Sequence, residues 1–144
     1  MTQVSSYWGD SIAKVTTSGW GSFHNYRLPS PSGSPQAITV GSDGNLWFTE
    51  SATDKLGRIT IAGVMTEFAV PTASSEPLGI AAGSDGNLWF TEKSGNKIGE
   101  IAVAGLITEY SVPTPSSQPS GITTSQDGSR HFTEQSGNRI GRAF

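Results

Sequence analysis

Three glutamates recur at one fixed spacing along the chain. Glu50, Glu92 and Glu134 each follow a Phe-Thr pair, and 42 residues separate each from the next. Carboxylate oxygens are the ligands that divalent cations such as magnesium prefer, so the three side chains could form an arc around a metal ion. A glutamate that closes each copy of a repeated strand onto its turn would recur in the same way. The spacing alone therefore leaves a metal site and a structural role open.

A fourth glutamate differs from these three because it does not recur. Glu76 has Ser34 and Gln118 in the corresponding places of the other copies. Residues that differ between copies are better candidates for function than residues common to all of them. We therefore add Glu76 to the candidate metal ligands, with a solvated loop carboxylate as the alternative interpretation.

Histidine could supply a base or a metal ligand, since it titrates near neutral pH. The chain has two. His131 stands where the earlier copies have Trp47 and Trp89, beside Arg130, which replaces a leucine. A histidine and an arginine in a core strand indicate a terminal copy that packs less well than the others. We prefer this interpretation to a metal site at His131. His24 is expected to be an exposed residue on an outer strand.

The elements that would position these residues come from an internal repeat. The sequence GSDGNLWFTE occurs at 41–50 and again at 83–92, and a third copy, SQDGSRHFTE, occupies 125–134. Prolines and glycines recur with the same 42-residue period along most of the chain. A period of this length is typical of a repeat architecture in which each repeat is one small structural unit.

Each period predicts four short strands, at 36–40, 46–50, 55–61 and 64–70 in the first complete copy. Asp43-Gly44 predicts a tight turn with positive φ at both positions. Adjacent apolar residues in LWFTE are typical of a strand buried on both faces, and the fourth strand alternates as a half-exposed strand does. Four antiparallel strands per period of about 40 residues predict an all-β fold, a β-propeller of four-stranded blades.

We interpret the chain, 1–144, as a single propeller segment. It holds partial blades at 1–29 and 119–144 and complete blades at 35–71 and 77–113. Propellers close with roughly four or more blades, so the segment is a partial propeller or one completed by oligomerisation. The final blade lacks its outer strand and the N-terminus offers a spare one at 22–28. This favours a homodimer with about six blades.

The repeat resembles a known family. The repeat motifs at Pro77–Ile80, Asp85–Glu92, Asn96–Ile101 and Gly105–Pro113 are similar to those of the virginiamycin B lyase (streptogramin B lyase) family. The resemblance implies a seven-bladed propeller. It also implies magnesium-dependent elimination that opens the lactone ring of type B streptogramin antibiotics.

Topology predicts where a site would lie. The loops that cross between blades and the loops after each second strand share one face, which we call the top face. The residues after the crossing prolines, Gln36, Leu78 and Ser120, should therefore lie near the glutamates, at the mouth of the central channel. We take these three as candidate contacts of a small-molecule substrate or ligand.

The family's catalytic residues can be sought at these same positions. The resemblance implies a histidine base directly after the proline and a second histidine that helps glutamates to hold magnesium. None of Gln36, Leu78 and Ser120 is histidine, so we assign no catalytic residue. The resemblance leaves magnesium as the implied cofactor, with the four glutamates named above as its candidate ligands.

Two functions remain open at this point, and a third interpretation is a purely structural fragment that is stable but has no site. The first is a lyase of this family that is inactive as an isolated chain and complete only in a longer gene product or an oligomer. The alternative is a non-catalytic, ligand- or protein-binding propeller scaffold. The net charge of −3 argues against a nucleic-acid partner, and no apolar run predicts a membrane span. No signal peptide is evident, so a cytoplasmic protein is expected.

Overall fold

The computed structural model describes the backbone of residues 2–5, 10–16 and 21–144, and the side chains from residue 10 onward within those ranges. The fold is all-β, as predicted, and its antiparallel sheets are those of a partial β-propeller. No helix that could cross a membrane occurs in the described ranges.

The described strands form four sheets. The first sheet contains β1 (Thr2–Ser5), β2 (Ser11–Val15) and β3 (Phe23–Arg27). The second contains β4 (Pro35–Val40), β5 (Leu46–Glu50), β6 (Lys55–Ile59) and β7 (Met65–Ala69). The third contains β8 (Pro77–Ala82), β9 (Leu88–Glu92), β10 (Lys97–Ile101) and β11 (Ile107–Ser111). The fourth contains β12 (Pro119–Thr124), β13 (Arg130–Glu134) and β14 (Arg139–Ala143).

The second strand of each complete sheet is buried on both faces, as its apolar residues predict. Phe48 of β5 is fully buried and pairs with Gly57 of β6. A Cβ on Gly57 would lie 2.1 Å from the Phe48 ring, so only glycine lets the ring lie flat on the neighbouring strand. Phe90 and Gly99 repeat the arrangement in the third sheet. This close approach explains why that glycine recurs with the period.

The turn before each second strand differs from its prediction. Gly44 has a φ of 74°, but Asp43 does not have a positive φ. Asp43 instead accepts hydrogen bonds from the backbone N–H of Asn45 and from Trp47 Nε1, both at 3.1 Å. The aspartate is therefore placed by its side chain, because it caps the turn and satisfies the indole N–H of the strand that follows.

The core lies between the sheets. Trp47, Leu56 and Val70 of the second sheet form one apolar cluster with residues of the third sheet that include Leu88 and Phe90. Similar clusters join the first sheet to the second and the third to the fourth. The strands β4, β8 and β12 lie side by side as the innermost strands. Each sheet is thus stabilised mainly by its neighbours in the series.

The two end sheets correct the expectation of a spare strand. Strand β3 is hydrogen-bonded along its length to β2, which pairs in turn with β1. The segment at 22–28 is therefore the outer strand of its own sheet, and it is not free to complete the last one. The last sheet contains an inner strand and two further strands, with no strand beyond β14 in the described chain.

Arg130 also packs better than the sequence suggested. Arg130 is 7% exposed, and its side chain forms an ion pair with Asp85. The guanidinium carbon lies 4.2 Å from the centre of the Trp89 ring. The arginine thus joins the last sheet to the third one. A stacked and paired guanidinium can replace an aliphatic side chain at such a junction.

Candidate functional site

The candidate site lies where the chain crosses from the outer strand of one sheet to the inner strand of the next. In the crossing between β7 and β8, Ser74 and Glu76 both have a φ of 53°, in the left-handed region that non-glycine residues rarely adopt. Asp54, in a turn of the preceding sheet, accepts hydrogen bonds from the backbone N–H groups of Ser74 at 2.8 Å and Glu76 at 3.1 Å. The carboxylate therefore holds an unfavourable backbone in place.

The other crossings use the residues at the corresponding positions. Asp10 accepts hydrogen bonds from the N–H groups of Ser32 and Ser34, and Asn96 accepts one from the N–H of Ser117. Each crossing is thus fixed by a side chain of the preceding repeat. The top face has a defined backbone before any ligand binds.

The three candidate ligand contacts lie at the start of the inner strands, beside a β-bulge in each. Gln36 is exposed, whereas Leu78 and Ser120 are half-buried. Thr49 Oγ1 accepts a hydrogen bond from the N–H of Ala37 and donates one to the Leu78 carbonyl. The structure thus brings the start of β4 and the start of β8 onto a single hydroxyl group.

The next pair of inner strands is joined in the same way. Thr91 Oγ1 accepts from the N–H of Gly79 and donates to the Ser120 carbonyl at 2.6 Å. A Cβ on Gly79 would lie 2.4 Å from that carbonyl, so the two backbones touch. The positions predicted to contact a ligand are therefore neighbours.

The recurring glutamates lie beside these strand starts but are buried. Glu50 pairs with Pro35 and Glu92 with Pro77, and both side chains are 0% exposed. Glu134 pairs with Pro119 and is 6% exposed. They face the interior of the crossings, beneath the top face.

Few hydrogen bonds reach these carboxyl groups from the described residues. Thr53 Oγ1 donates to Glu50 Oε2 at 3.2 Å, and Glu50 Oε1 receives none. Neither oxygen of Glu92 receives a hydrogen bond, nor does Oε2 of Glu134. A buried carboxylate without donors is costly, so Glu50 and Glu92 favour their neutral form.

The surroundings shift the pKa values in that direction. Burial raises the pKa of Glu50 to about 7, and the nearby carboxylate of Glu67 adds to the effect. Burial raises the pKa of Glu92 to about 7 as well, with a further contribution from Glu109. Two carboxyl groups under the top face therefore titrate near neutral pH.

The carboxylates beside them stay ionised because each has a lysine. Lys55 Nζ lies 2.7 Å from Glu67 Oε2, and Lys97 Nζ lies 2.8 Å from Glu109 Oε2. Burial alone would raise the pKa of Glu67 and Glu109, but the hydrogen bonds that these carboxylates accept outweigh it and lower both values. Each of these two crossings thus combines one ion pair with one carboxyl group whose pKa is about 7.

Glu76, the non-recurring glutamate, lies at the surface. Its Oε2 accepts a hydrogen bond from Ser94 Oγ at 2.6 Å, and its Oε1 lies 3.4 Å from Lys93 Nζ. Among the described residues, no three His, Asp or Glu side chains come together as a group that could hold a metal ion. Magnesium usually keeps several waters and needs only one or two carboxylates, so this donor set fits at most a weak, water-rich site.

The histidines lie away from the crossing prolines. His131 is half-buried on β13, opposite Thr123 of β12. His24 is exposed on β3, with its ring 4.7 Å from that of Tyr26. Neither stands at the start of an inner strand.

Sequence reasoning missed the residues that build the top face, namely Thr49, Thr91 and Asp54. The signal was present, because a threonine precedes each recurring glutamate and an Asp or Asn recurs at the turn four residues after it. The period could not show their partners, since each one bonds to the following repeat.

Comparisons with known proteins agree with the geometry. The model of the Virginiamycin B lyase family matches residues 3–144. The structure is similar to a streptogramin B lyase, with 44% sequence identity and a TM-score of 0.90 over 94% of this chain. It is equally similar, at 44% identity and a TM-score of 0.91, to a catalytically inactive histidine-to-alanine variant of virginiamycin B lyase from Staphylococcus aureus with quinupristin.

This chain spans 45% of the length of each of those lyases. A regucalcin from Agrobacterium tumefaciens, described as a calcium-binding protein, has a TM-score of 0.64 over 86% of this chain and 44% of its own, at 18% identity. That likeness concerns the fold alone. The family match and the 44% identity together show that the chain belongs to the virginiamycin B lyase family.

Proposed function

We propose that this chain supplies scaffold blades of a virginiamycin B lyase-type propeller and does not open a streptogramin lactone by itself. The observation that carries the proposal is the identity of Gln36, Leu78 and Ser120, which stand where the family resemblance implies histidine. Elimination at a lactone requires a base that removes a proton from the neighbouring carbon, and none of the three side chains can do so.

The other groups that titrate near neutral pH do not replace that base. Glu50 and Glu92 have suitable pKa values of about 7 but are 0% exposed, so a substrate at the top face cannot contact them. A base must lie within hydrogen-bond reach of the proton that it removes. The inactivity of the S. aureus histidine variant supports the requirement for histidine in that relative.

The propeller must be completed by other blades. Ile98 of the third sheet is 2% exposed, packed against the fourth sheet, whereas its counterpart Ile140 on the last sheet is 67% exposed. The last sheet therefore presents an apolar face on which a further blade would pack. For the isolated chain we propose that a second copy covers this face, giving a homodimer.

A weak magnesium site forms the second part of the proposal. Glu76 supplies an exposed carboxylate at the top face, and Glu92 supplies two oxygens without donors beside the same strand start. Glu50 and Glu134 have the corresponding positions in the other copies. Bound magnesium would polarise a carbonyl oxygen of a ligand, while the crossings of this chain hold the backbone around it.

A non-catalytic binding scaffold is the alternative. It is favoured by the rigid start of the inner strands, where threonine hydroxyl groups fix the backbone and Gln36 is exposed. Quinupristin distinguishes the two. A binding scaffold of unrelated specificity would not bind it, whereas lyase-type blades would bind it at the top face without converting it. Saturation-transfer NMR measures the binding, and chromatography of the same sample measures the conversion.

A further inference from the structure

A cavity lies at the end of the sheets opposite to the crossings. It occupies 460 Å³ between the first and second sheets. Its wall combines aliphatic side chains with one lysine, one tyrosine and two threonines, and it includes Lys14, Tyr26, Ile38, Val40, Leu46 and Ile59. The volume is within the range of roughly 300–1,000 Å³ that is typical of small-molecule sites.

The repeat shows what occupies the corresponding space one blade further on. Between the second and third sheets, the same positions are Ile80, Ala82, Leu88 and Ile101, and they pack around Trp47. The Trp47 ring stacks on Phe68 with ring centroids 5.4 Å apart. The guanidinium carbon of Arg58 lies 5.4 Å from the indole centroid. At this junction an aromatic ring fills the space, between an aromatic partner and a cation.

The register of the strands identifies the residues that replace this arrangement at the first junction. Trp47 pairs with Arg58, and in the first sheet Gln3 pairs with Lys14. Glutamine thus stands at the tryptophan position and lysine at the arginine position. Tyr26 stands at the Phe68 position, and it lines the cavity. The first junction therefore keeps an aromatic residue at the Phe68 position and a cation at the Arg58 position. It has no tryptophan at the Trp47 position.

Lys14 is also available to a ligand. Arg58 donates a hydrogen bond to the carbonyl of Val103, but the side chain of Lys14 has no hydrogen bond, ion pair or ring contact among the described residues. A cation beside an apolar cavity attracts the face of an aromatic ring or an anionic substituent on its edge.

We propose that this cavity binds a planar aromatic molecule of about the size of indole, with the ring stacked against Tyr26. An anionic substituent on the ring is recognised by the ammonium group of Lys14. The site is separate from the top face and does not depend on the proposed lyase function. Its ligand takes the place that Trp47 has between the next two sheets.

Indole and indole-3-acetate serve as probes of the full chain, with binding followed by isothermal titration calorimetry. We expect both to bind at one site, indole-3-acetate more tightly. Ile61 lines the mouth of the cavity and is 77% exposed, so Ile61→Trp blocks the entrance without disturbing the core. This variant should weaken the binding of both probes at least tenfold. Val64→Trp, in the same turn at a 62% exposed position outside the cavity, is the matched control and should bind as wild type does.

Two further variants test the chemistry of the site. Lys14→Gln should remove the preference for indole-3-acetate while indole still binds. Gln3→Trp restores the tryptophan of the repeat, and it should raise the thermal midpoint and abolish indole binding. The proposal is overturned if wild type binds neither probe at millimolar concentration. It is equally overturned if Ile61→Trp and Val64→Trp bind indole alike.

Discussion

The hydroxyl group of Thr49 donates a hydrogen bond to the backbone carbonyl of Leu78 in the next sheet, at 2.8 Å. The same oxygen accepts from the N–H of Ala37 in its own sheet. One fully buried side chain thus sets the spacing of two inner strands at the point where the family resemblance implies a catalytic residue. The recurring threonine therefore positions the backbone of the site and has no catalytic role in this account.

Thr49→Val should destabilise the fold by about 1–3 kcal/mol, because it leaves the N–H of Ala37 and the carbonyl of Leu78, both on half-buried residues, without these partners. Thr133 is the matched control, since it accepts from the N–H of Gly121 but is exposed at the open face of the last sheet. Thr133→Val should cost less than half as much. Urea denaturation of both variants measures the difference, and equal losses would show that the hydrogen bond between sheets contributes nothing.

Stability should fall as the pH rises from about 4.5 to above 7. The folded-state pKa of Glu50 and Glu92 is raised to about 7, so the folded chain binds more protons than the unfolded chain across this window. The stabilisation is fully present below the unfolded pKa and is lost as the pH passes the folded pKa. Each group corresponds to a loss on the order of 3 kcal/mol.

The variants Glu50→Gln and Glu92→Gln should flatten that dependence. Glutamine is shaped like a protonated glutamate, so each variant should be more stable than wild type at pH 8 and similar to it at pH 5. Glu76→Gln removes an exposed carboxylate from the same region and is the control. Thermal midpoints from pH 4 to pH 9 are the measurement. A wild-type profile that rises with pH would contradict the assigned protonation.

Magnesium should raise the thermal midpoint only at millimolar concentration. A cation that binds only the folded chain stabilises it, and a site with one exposed carboxylate is weak. Glu76→Gln should remove the rise, whereas Glu100→Gln, which changes a carboxylate bonded to Asn87 and Tyr110, should keep it. The absence of any rise in wild type, or an equal rise in Glu76→Gln, would rule out this site.

Much of the fold was predictable from the sequence because LWFTE and its flanking turns recur. Strand β1 was harder to predict, because the sequence of Thr2–Ser5 has no similarity to LWFTE. This strand pairs with β2 through backbone hydrogen bonds, which residues of any type can make. The same limit explains why the sequence predicts a spare strand at 22–28, whereas the structure pairs β3 with β2. Pairing between strands is set by the partner strand, which a periodic pattern does not identify.

The site was only partly predictable. The sequence places Leu78 and Glu92 near each other, and the structure agrees, since the neighbouring Pro77 pairs with Glu92. The burial of Glu92 could not be read from its type, because an acidic residue that ends a strand is usually exposed. Gly95 packs against that carboxyl group, and only coordinates show this contact.

The isolated chain should form a dimer through the open face of its last sheet. Light scattering at micromolar concentration should give twice the mass of one chain, falling on dilution. Ile140→Lys places a charge on this apolar face and should give a monomer. Leu106→Lys, at a 73% exposed position on a turn, should leave the dimer intact. A folded monomer at every concentration would contradict the proposed assembly.

The most direct test is the turnover of quinupristin by the purified chain in the presence of magnesium, with the lactone and its linear product separated by liquid chromatography. The S. aureus lyase is the positive control. We predict no linear product above the background without protein, because Gln36, Leu78 and Ser120 supply no base. Magnesium-dependent turnover that a single substitution abolishes, with His131→Ala the first to examine, would contradict this account.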